Sequence, residues 1–207
     1  MSVPKRELTV DGFELQLATN YLGHFLLFHL LKDVMIQSST PEFNSRLVQV
    51  SSASHHFSEI QFDDLNCETA YDPKNAYGQS KLAQIYLANY VDRHFGAQGL
   101  HGLSLMPGGI RTNILRHVPS SVVDKMMAAS DFLPKWYKSP EQGAATTLVA
   151  AIGQEYEGRG GLYLEDCDVA KTEPLIPMIK GVKEYAFDEE KQDRLYKKTL
   201  ELLKLAA

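Results

Sequence analysis

Residues 46–112 alternate between extended and helical patterns in an order that few folds can satisfy. Arg46-Leu47-Val48-Gln49-Val50 is a short, β-branched, alternating run that ends in Ser51-Ser52. Tyr77 to about Phe95 reads as a helix. Leu100-His101-Gly102-Leu103-Ser104-Leu105-Met106 reads as a second strand, closed by Pro107-Gly108-Gly109-Ile110-Arg111-Thr112. Strand, helix and strand over this length make a βαβ unit, and its polar groups fall at the carboxyl ends of the strands. Open α/β sheets place their active sites there.

Within that unit Tyr77 and Lys81 stand four residues apart, so a helix puts them on one face. A free phenol titrates near pH 10 and is a poor acid–base catalyst at neutrality. Bringing it to about 7 needs roughly 4 kcal/mol of preference for the phenolate. One cation about 5 Å away supplies roughly 3 kcal/mol at an effective dielectric near 20. A lysine plus a second positive charge is enough, so the pair is suited to general acid–base work. The spacing alone has low specificity. Its alternative reading is a half-buried helix tyrosine beside a solvated lysine.

The flanking chain is compatible with one α/β domain over residues 1–207. Phe13 to about Met35 is helix-forming with Thr9 as N-cap, and Leu15, Ala18, Leu22, Leu26 and Leu30 predict its buried face. Asn20 and Gly23 sit in its middle, where neither residue is favoured. Ala53–Lys74 is a long excursion in which His55-His56 point different ways on any regular element, a poor arrangement for a metal. Residues 118–138, apolar and bounded by Pro119 and Pro134, suggest a substrate lid, or else a packed helix pair or subunit contact. Ser139-Pro140-Glu141-Gln142 is a capping box that opens a helix to about Ile152. Gly158-Arg159-Gly160-Gly161 then turns into a strand at Leu162-Tyr163-Leu164, the wrong order for a phosphate cradle. A charged helix from about Asp188 to Leu205 ends the chain.

Composition removes several classes of function. The net charge of −5 argues against nucleic acid as a partner. Cys67 and Cys167 lie far apart, match no metal spacing, and read as reduced thiols of an intracellular, cytoplasmic protein. The longest apolar run, Tyr21 to Leu31, contains Gly23, His24 and His29 and is too short and polar for a membrane span. Residues 1–7 lack the apolar stretch of a signal peptide.

Taken together, several segments resemble the short-chain dehydrogenases/reductases, in particular their retinol-dehydrogenase-like branch. They are Asp11-Gly12-Phe13-Glu14, Asn20-Tyr21-Leu22-Gly23-His24-Phe25-Leu26-Leu27, Val50-Ser51-Ser52, Tyr77 with Ser80-Lys81-Leu82-Ala83, and Pro107-Gly108 with Thr112. Ser139-Pro140-Glu141-Gln142-Gly143-Ala144 and Gly161-Leu162-Tyr163 look like the same branch. The resemblance implies a Rossmann-like, doubly wound parallel sheet and hydride transfer between NADP or NAD and a small lipophilic alcohol or carbonyl. It implies Tyr77 as the proton donor or acceptor and Lys81 as the group that tunes the phenol and binds the nicotinamide ribose. Ser52 would hold the substrate oxygen, with Ser51 the alternative. Asn20 would sit at a helix kink and hold a relay water through its carbonyl. Pro107, Gly108, Ile110 and Thr112 would meet the nicotinamide.

The family's opening strand, glycine loop and next two strand–helix units have no counterpart in this sequence, so the expected fold is N-terminally truncated, the catalytic half only. Two readings follow. Either the chain is an oxidoreductase whose other half lies outside this stretch, or it is a catalytically silent interaction module. A silent module would pair through its long helices with a second copy or a full-length relative. The choice between NAD and NADP rests with the absent half. A dinucleotide is held mainly by its pyrophosphate at a helix N-terminus. We therefore expect the 207-residue chain alone to bind NADH and NADPH about a thousandfold more weakly than a complete site, in the millimolar range or beyond. Calorimetric titration with each cofactor, together with the mass of the chain in solution, measures this. A soluble monomer with micromolar affinity would overturn it.

Overall fold

In the computed structural model, which describes residues 3–110, 112–116, 118, 120–128, 136–172 and 179–206, the βαβ unit is formed as the sequence suggests. Strand β1 (Ser45–Val50) pairs in parallel with β2 (Leu100–Met106), Ser45 opposite Leu100 and Val50 opposite Leu105. Two further pieces extend the sheet. β5 (Leu162–Glu165) runs parallel to β2, and β6 (Asp168–Val169) turns back antiparallel, giving the order β1-β2-β5-β6. A separate parallel pair joins β3 (Gly109–Ile110) to β4 (Tyr137–Lys138). Among the described residues β1 is bonded to a strand only on its β2 side.

Every residue of β2 is buried, as expected of a parallel strand covered on both faces. One face carries the helix α2 (Pro73–Phe95). The other meets α4 (Pro140–Ile152), where Leu103, Leu105, Ala150, Tyr156 and Leu164 form a small core. Helices on both faces of a mainly parallel sheet make this the Rossmann-like α/β architecture. The helix α3 (Ser120–Ala128) lies between β3 and β4 in sequence. The final helix α5 (Glu189–Leu203), capped by the Asp188 carboxylate, completes the main core beside α2.

Helix starts follow their caps. Asp72 accepts from the Lys74 and Asn75 N–H groups and Pro73 occupies the first turn, so α2 begins four residues before Tyr77. Ser139 and Gln142 close the expected capping box. The first helix, α1, is built of Leu15–Leu17, a π-helical turn Ala18–Leu22, and Gly23–Ser38. Its cap is Glu14, whose carboxylate takes the Gln16 and Leu17 N–H groups at 2.9 and 2.7 Å. Thr9, the expected cap, instead closes the preceding turn by accepting from the Phe13 N–H.

The buried face of α1 also differs from the expected one. Leu17, Tyr21, Leu22, Phe25 and Phe28 are buried, whereas Leu26 and Leu30 are 36% and 67% exposed. This helix is apolar around much of its circumference, so periodicity did not select a face. The aromatic residues decided it: Phe25 packs on Tyr196 of α5 at 5.0 Å between ring centroids, and the Tyr21 hydroxyl meets Thr199 at 2.9 Å. Among the described residues no helix is long and apolar enough to cross a membrane. Cys67 and Cys167 are both free thiols. The expected lid, 118–138, falls partly outside the described residues.

The closest approach of α2 to the sheet is at Gly102. A Cβ there would stand 1.9 Å from the Ala88 carbonyl oxygen, a backbone atom that cannot move without the helix. Gly102→Ala should therefore lower stability by about 2–3 kcal/mol or more. Denaturant melts of the two proteins measure it, and a loss below about 0.5 kcal/mol would mean that α2 slides freely on β2.

Candidate active site

After Val50 the chain leaves the sheet through two serines that serve different ends. Ser51 is buried, and its hydroxyl donates to the Lys81 carbonyl at 2.7 Å, tying β1 to α2. Ser52 is extended and half-buried, and its Oγ caps the turn Ala53–His56 by accepting from the Ser54 N–H at 3.1 Å. Its hydroxyl donates to Ser54 Oγ at 3.2 Å, and it lies near enough to the Tyr77 phenol to oppose the effect of burial there. Of the two serines it is thus Ser52 that faces the tyrosine. The turn is pressed onto α2 at Gly78, where a Cβ would lie 2.6 Å from the Ser54 carbonyl oxygen. Only a residue without a side chain lets Ser52 reach Tyr77 from this side.

Tyr77 and Lys81 occupy one face of α2, with the ammonium 5.7 Å from the tyrosine ring centroid. Lys81 Nζ donates to the Val50 carbonyl at 2.9 Å and to Gln84 Oε1 at 3.0 Å. Burial pushes the lysine down to about 8. Burial also raises the Tyr77 phenol above its ordinary value, opposed by the hydrogen bond from Ser52. Among the described residues Lys81 is not one of the groups that shift the phenol. The ammonium is anchored to the end of β1 and to Gln84, and desolvation is what dominates at Tyr77.

Asn20 lies in the π turn of α1, a wider turn that locally disturbs the carbonyl ladder. Its amide donates to the Ser80 hydroxyl at 2.9 Å, and that hydroxyl donates to the Tyr77 carbonyl at 2.8 Å. Asn20, Ser52, Tyr77 and Lys81 are therefore brought together. Pro107, Gly108, Ile110 and Thr112 follow the carboxyl end of β2, beside that of β1. Ile110 packs its side chain on Gly143 of α4, and Thr112 spends its hydroxyl on the Ile114 N–H at 3.3 Å. Lys138 ties the Pro107 carbonyl, at 3.4 Å, to the Asp166 carboxylate, at 2.6 Å, and the Trp136 ring lies against Gly109.

Sequence reasoning passed over three residues of this region. Gln84 is three positions past Lys81, a spacing that could have revealed it. His24 joins it from α1 at 3.1 Å. His55, set aside as loop, is fully buried beneath Ser52. Its Nδ1–H donates to the Ser52 carbonyl at 2.7 Å, and its Nε2 accepts from the Lys183 N–H at 3.3 Å. Among the described residues no group of three or more His, Cys, Asp or Glu side chains could hold a metal ion.

Burial pushes His55 down to about 3. The unfolded chain therefore takes up the proton first as the pH falls from the ordinary value of about 6.5. This residue costs no stability above about pH 6.5; below that, down to about pH 3, it removes up to about 1.4 kcal/mol per pH unit. His55→Gln should be less stable at pH 7 yet lose stability with acid less steeply, by about one proton between pH 6 and 4. Denaturant melts at a series of pH values measure both effects. Equal slopes would mean that His55 is already charged in the fold.

No family model matches the sequence. The chain is 50% identical over 207 residues to a short-chain dehydrogenase/reductase, prx1, of Penicillium roqueforti, matching all of this chain and 60% of that protein. It is 37% identical over 213 residues to a "Probable oxidoreductase" of Streptomyces antibioticus, matching all of this chain and 70% of the relative. To the human polyprenol dehydrogenase it is 39% identical over 170 residues, 79% of this chain and 49% of that one. A solved structure from Mycobacterium paratuberculosis superposes with a TM-score of 0.67 at 29% identity, covering 99% of this chain and 64% of the other. The chain thus spans about 60% of the length of the first of these relatives. Similarity over the whole of this chain, on a parallel sheet that sets a serine and a lysine about one helix tyrosine, places the chain in the short-chain dehydrogenase/reductase family.

Proposed function

We propose that the protein carrying this chain is an NAD(P)-dependent oxidoreductase acting on an alcohol or carbonyl of a lipophilic substrate, with Tyr77 as its acid–base group. The observation that carries this reading is that Ser52 and Lys81 converge on one helix tyrosine: the Ser52 hydroxyl opposes the effect of burial on the Tyr77 phenol, and the Lys81 ammonium stands 5.7 Å from the same ring. A substrate oxygen held between them would meet two hydroxyl groups with a cation nearby. The donor set suits the nicotinamide end of a dinucleotide. Lys81 uses two of its three N–H groups within the described residues, so one is left for ribose hydroxyls. Pro107, Gly108, Ile110 and Thr112 would face the ring end from the loop after β2. A nicotinamide dinucleotide, NAD or NADP, supplies or accepts the hydride when bound.

In the direction of reduction, Ser52 orients the carbonyl oxygen by hydrogen bonding and Tyr77 delivers its phenolic proton to that oxygen. A phenol raised by burial is protonated at neutral pH and so carries the proton that reduction consumes, but it is a weaker acid for being raised, and positive charge brought near it would favour release of that proton. In the direction of oxidation, Tyr77 must first lose its proton, which a second nearby cation would favour. Asn20 would steady a water beside Lys81 from the π turn. A lipophilic substrate is supported by the polyprenol dehydrogenase among the relatives and by the half-buried Trp136 ring against Gly109 in the loop after β2. The names of the relatives give no support to a silent interaction module.

In the full-length protein, Tyr77→Phe should lower kcat by about 10²–10⁴-fold while leaving cofactor affinity within a few fold. Steady-state rates and a cofactor titration measure the two separately. A variant that kept more than about a tenth of the wild-type kcat would remove Tyr77 from the chemistry.

A further inference from the structure

We propose that His24 is a positioning residue: as a neutral imidazole it orients the Gln84 amide, and through that amide it holds Lys81 in place. The inference rests on the reading of Lys81 given above and deepens it. It starts from two hydrogen bonds on one side chain. Lys81 Nζ stands 3.0 Å from Gln84 Oε1, and Gln84 Nε2 stands 3.1 Å from His24 Nδ1. Gln84 is fully buried, so its amide has no water to turn to.

The donor and acceptor roles along this chain are forced. An ammonium has only donors, so the group facing Lys81 must be the amide carbonyl. The amide NH₂ then faces His24, and it too is only a donor. His24 Nδ1 must therefore accept, which fixes the ring as neutral with its proton on Nε2. A protonated ring would set an N–H against the amide NH₂. Either that contact opens, or the amide flips and turns its NH₂ toward the Lys81 ammonium. One carbonyl cannot serve a cation at each end, so charging His24 releases the grip on Lys81.

The surroundings act in the same sense. Lys81, on α2, is the charged group that bears on His24, and together with burial it keeps the ring below its ordinary value. Gln49 of β1 opposes them; its buried Oε1 has no other hydrogen-bond partner among the described residues, and it faces the ring as an acceptor. Within α1, His24 stands one helical turn past Asn20, on the side that meets α2. The remainder of His24 is exposed, so the ring can exchange protons with solvent.

The test is a pH titration of the ring nitrogens by NMR, on protein labelled with ¹⁵N in its histidine rings. Neutral His24 should carry its proton on Nε2, with a midpoint below about 6.5. Lys81→Met should raise that midpoint by about half a pH unit or more, because a like charge is lost. Gln84→Glu should raise it by about one unit or more, because a carboxylate accepts from both cations. A neutral ring protonated on Nδ1, or an unchanged midpoint in Lys81→Met, would overturn the proposal. If a substituted protein fails to fold, the tautomer in the unsubstituted protein still decides. None of these readouts needs turnover, so they stand apart from the outcome for Tyr77→Phe.

Discussion

The site depends on how closely α2 lies against β2. At Gly102 the helix backbone and the strand backbone are separated by no side chain, and the Ser51 hydroxyl then pins the Lys81 carbonyl to the end of β1. With that helix fixed at two points along its length, the backbone positions of Tyr77 and Lys81 are set relative to the serine turn. Fourteen residues of α2 are buried, five of them with polar side chains or none, so apolar burial alone does not set its rotation. The polar ones do: Gln79 bonds the Gln61 N–H and the Leu65 carbonyl, and Asn89 bonds the Ala186 carbonyl. Each would be left unpaired by a small rotation of the helix, at a cost of about 1–3 kcal/mol per group.

The same logic sets the serine turn. His55 takes the Ser52 carbonyl on one nitrogen and the Lys183 N–H on the other, while the Tyr185 hydroxyl donates to the His55 carbonyl at 2.6 Å. Residues 183–185 thus reach back to the turn that carries Ser52 from far along the chain. Support of this kind keeps a hydroxyl aimed at a partner with little reorganisation, which is what preorganised donors require.

Much of the architecture was legible in local pattern. The two strands, the Ser139 capping box, the glycine turn before β5 and the final helix follow from period, caps and turn residues that act within a few positions of one another. What escaped was decided by tertiary contact. α1 offered two apolar faces, and the aromatic contacts to α5 chose between them. Glu14 displaced Thr9 as its cap because the Glu14 carboxylate reaches two helix N–H groups at once. At the site, Asn20, Ser52, Tyr77 and Lys81 were readable as residue types at telling spacings. The roles of Gln84 and His24 were not, because a glutamine on one helix and a histidine on another become partners only when the helices pack.

Burial moves both members of the central pair, and in opposite directions: the phenol of Tyr77 rises and the ammonium of Lys81 falls to about 8. Each shift favours the neutral form, since a low-dielectric site disfavours every uncompensated charge. Left to burial alone, the pair would be a protonated phenol beside a lysine close to losing its charge. Lys81 keeps its proton through the Val50 carbonyl and Gln84 Oε1, two acceptors that stabilise the charged form. Those same bonds draw the ammonium toward the strand end and the helix flank rather than to the phenol oxygen. The chain's own residues therefore hold the tyrosine as an acid, and conversion to a base depends on positive charge brought to its vicinity or on a shift of Lys81 away from its anchors. Under the proposed function, the readiness of Tyr77 to give up its proton depends on where the Lys81 charge sits, and that position is set by the Val50 carbonyl and the Gln84 amide together.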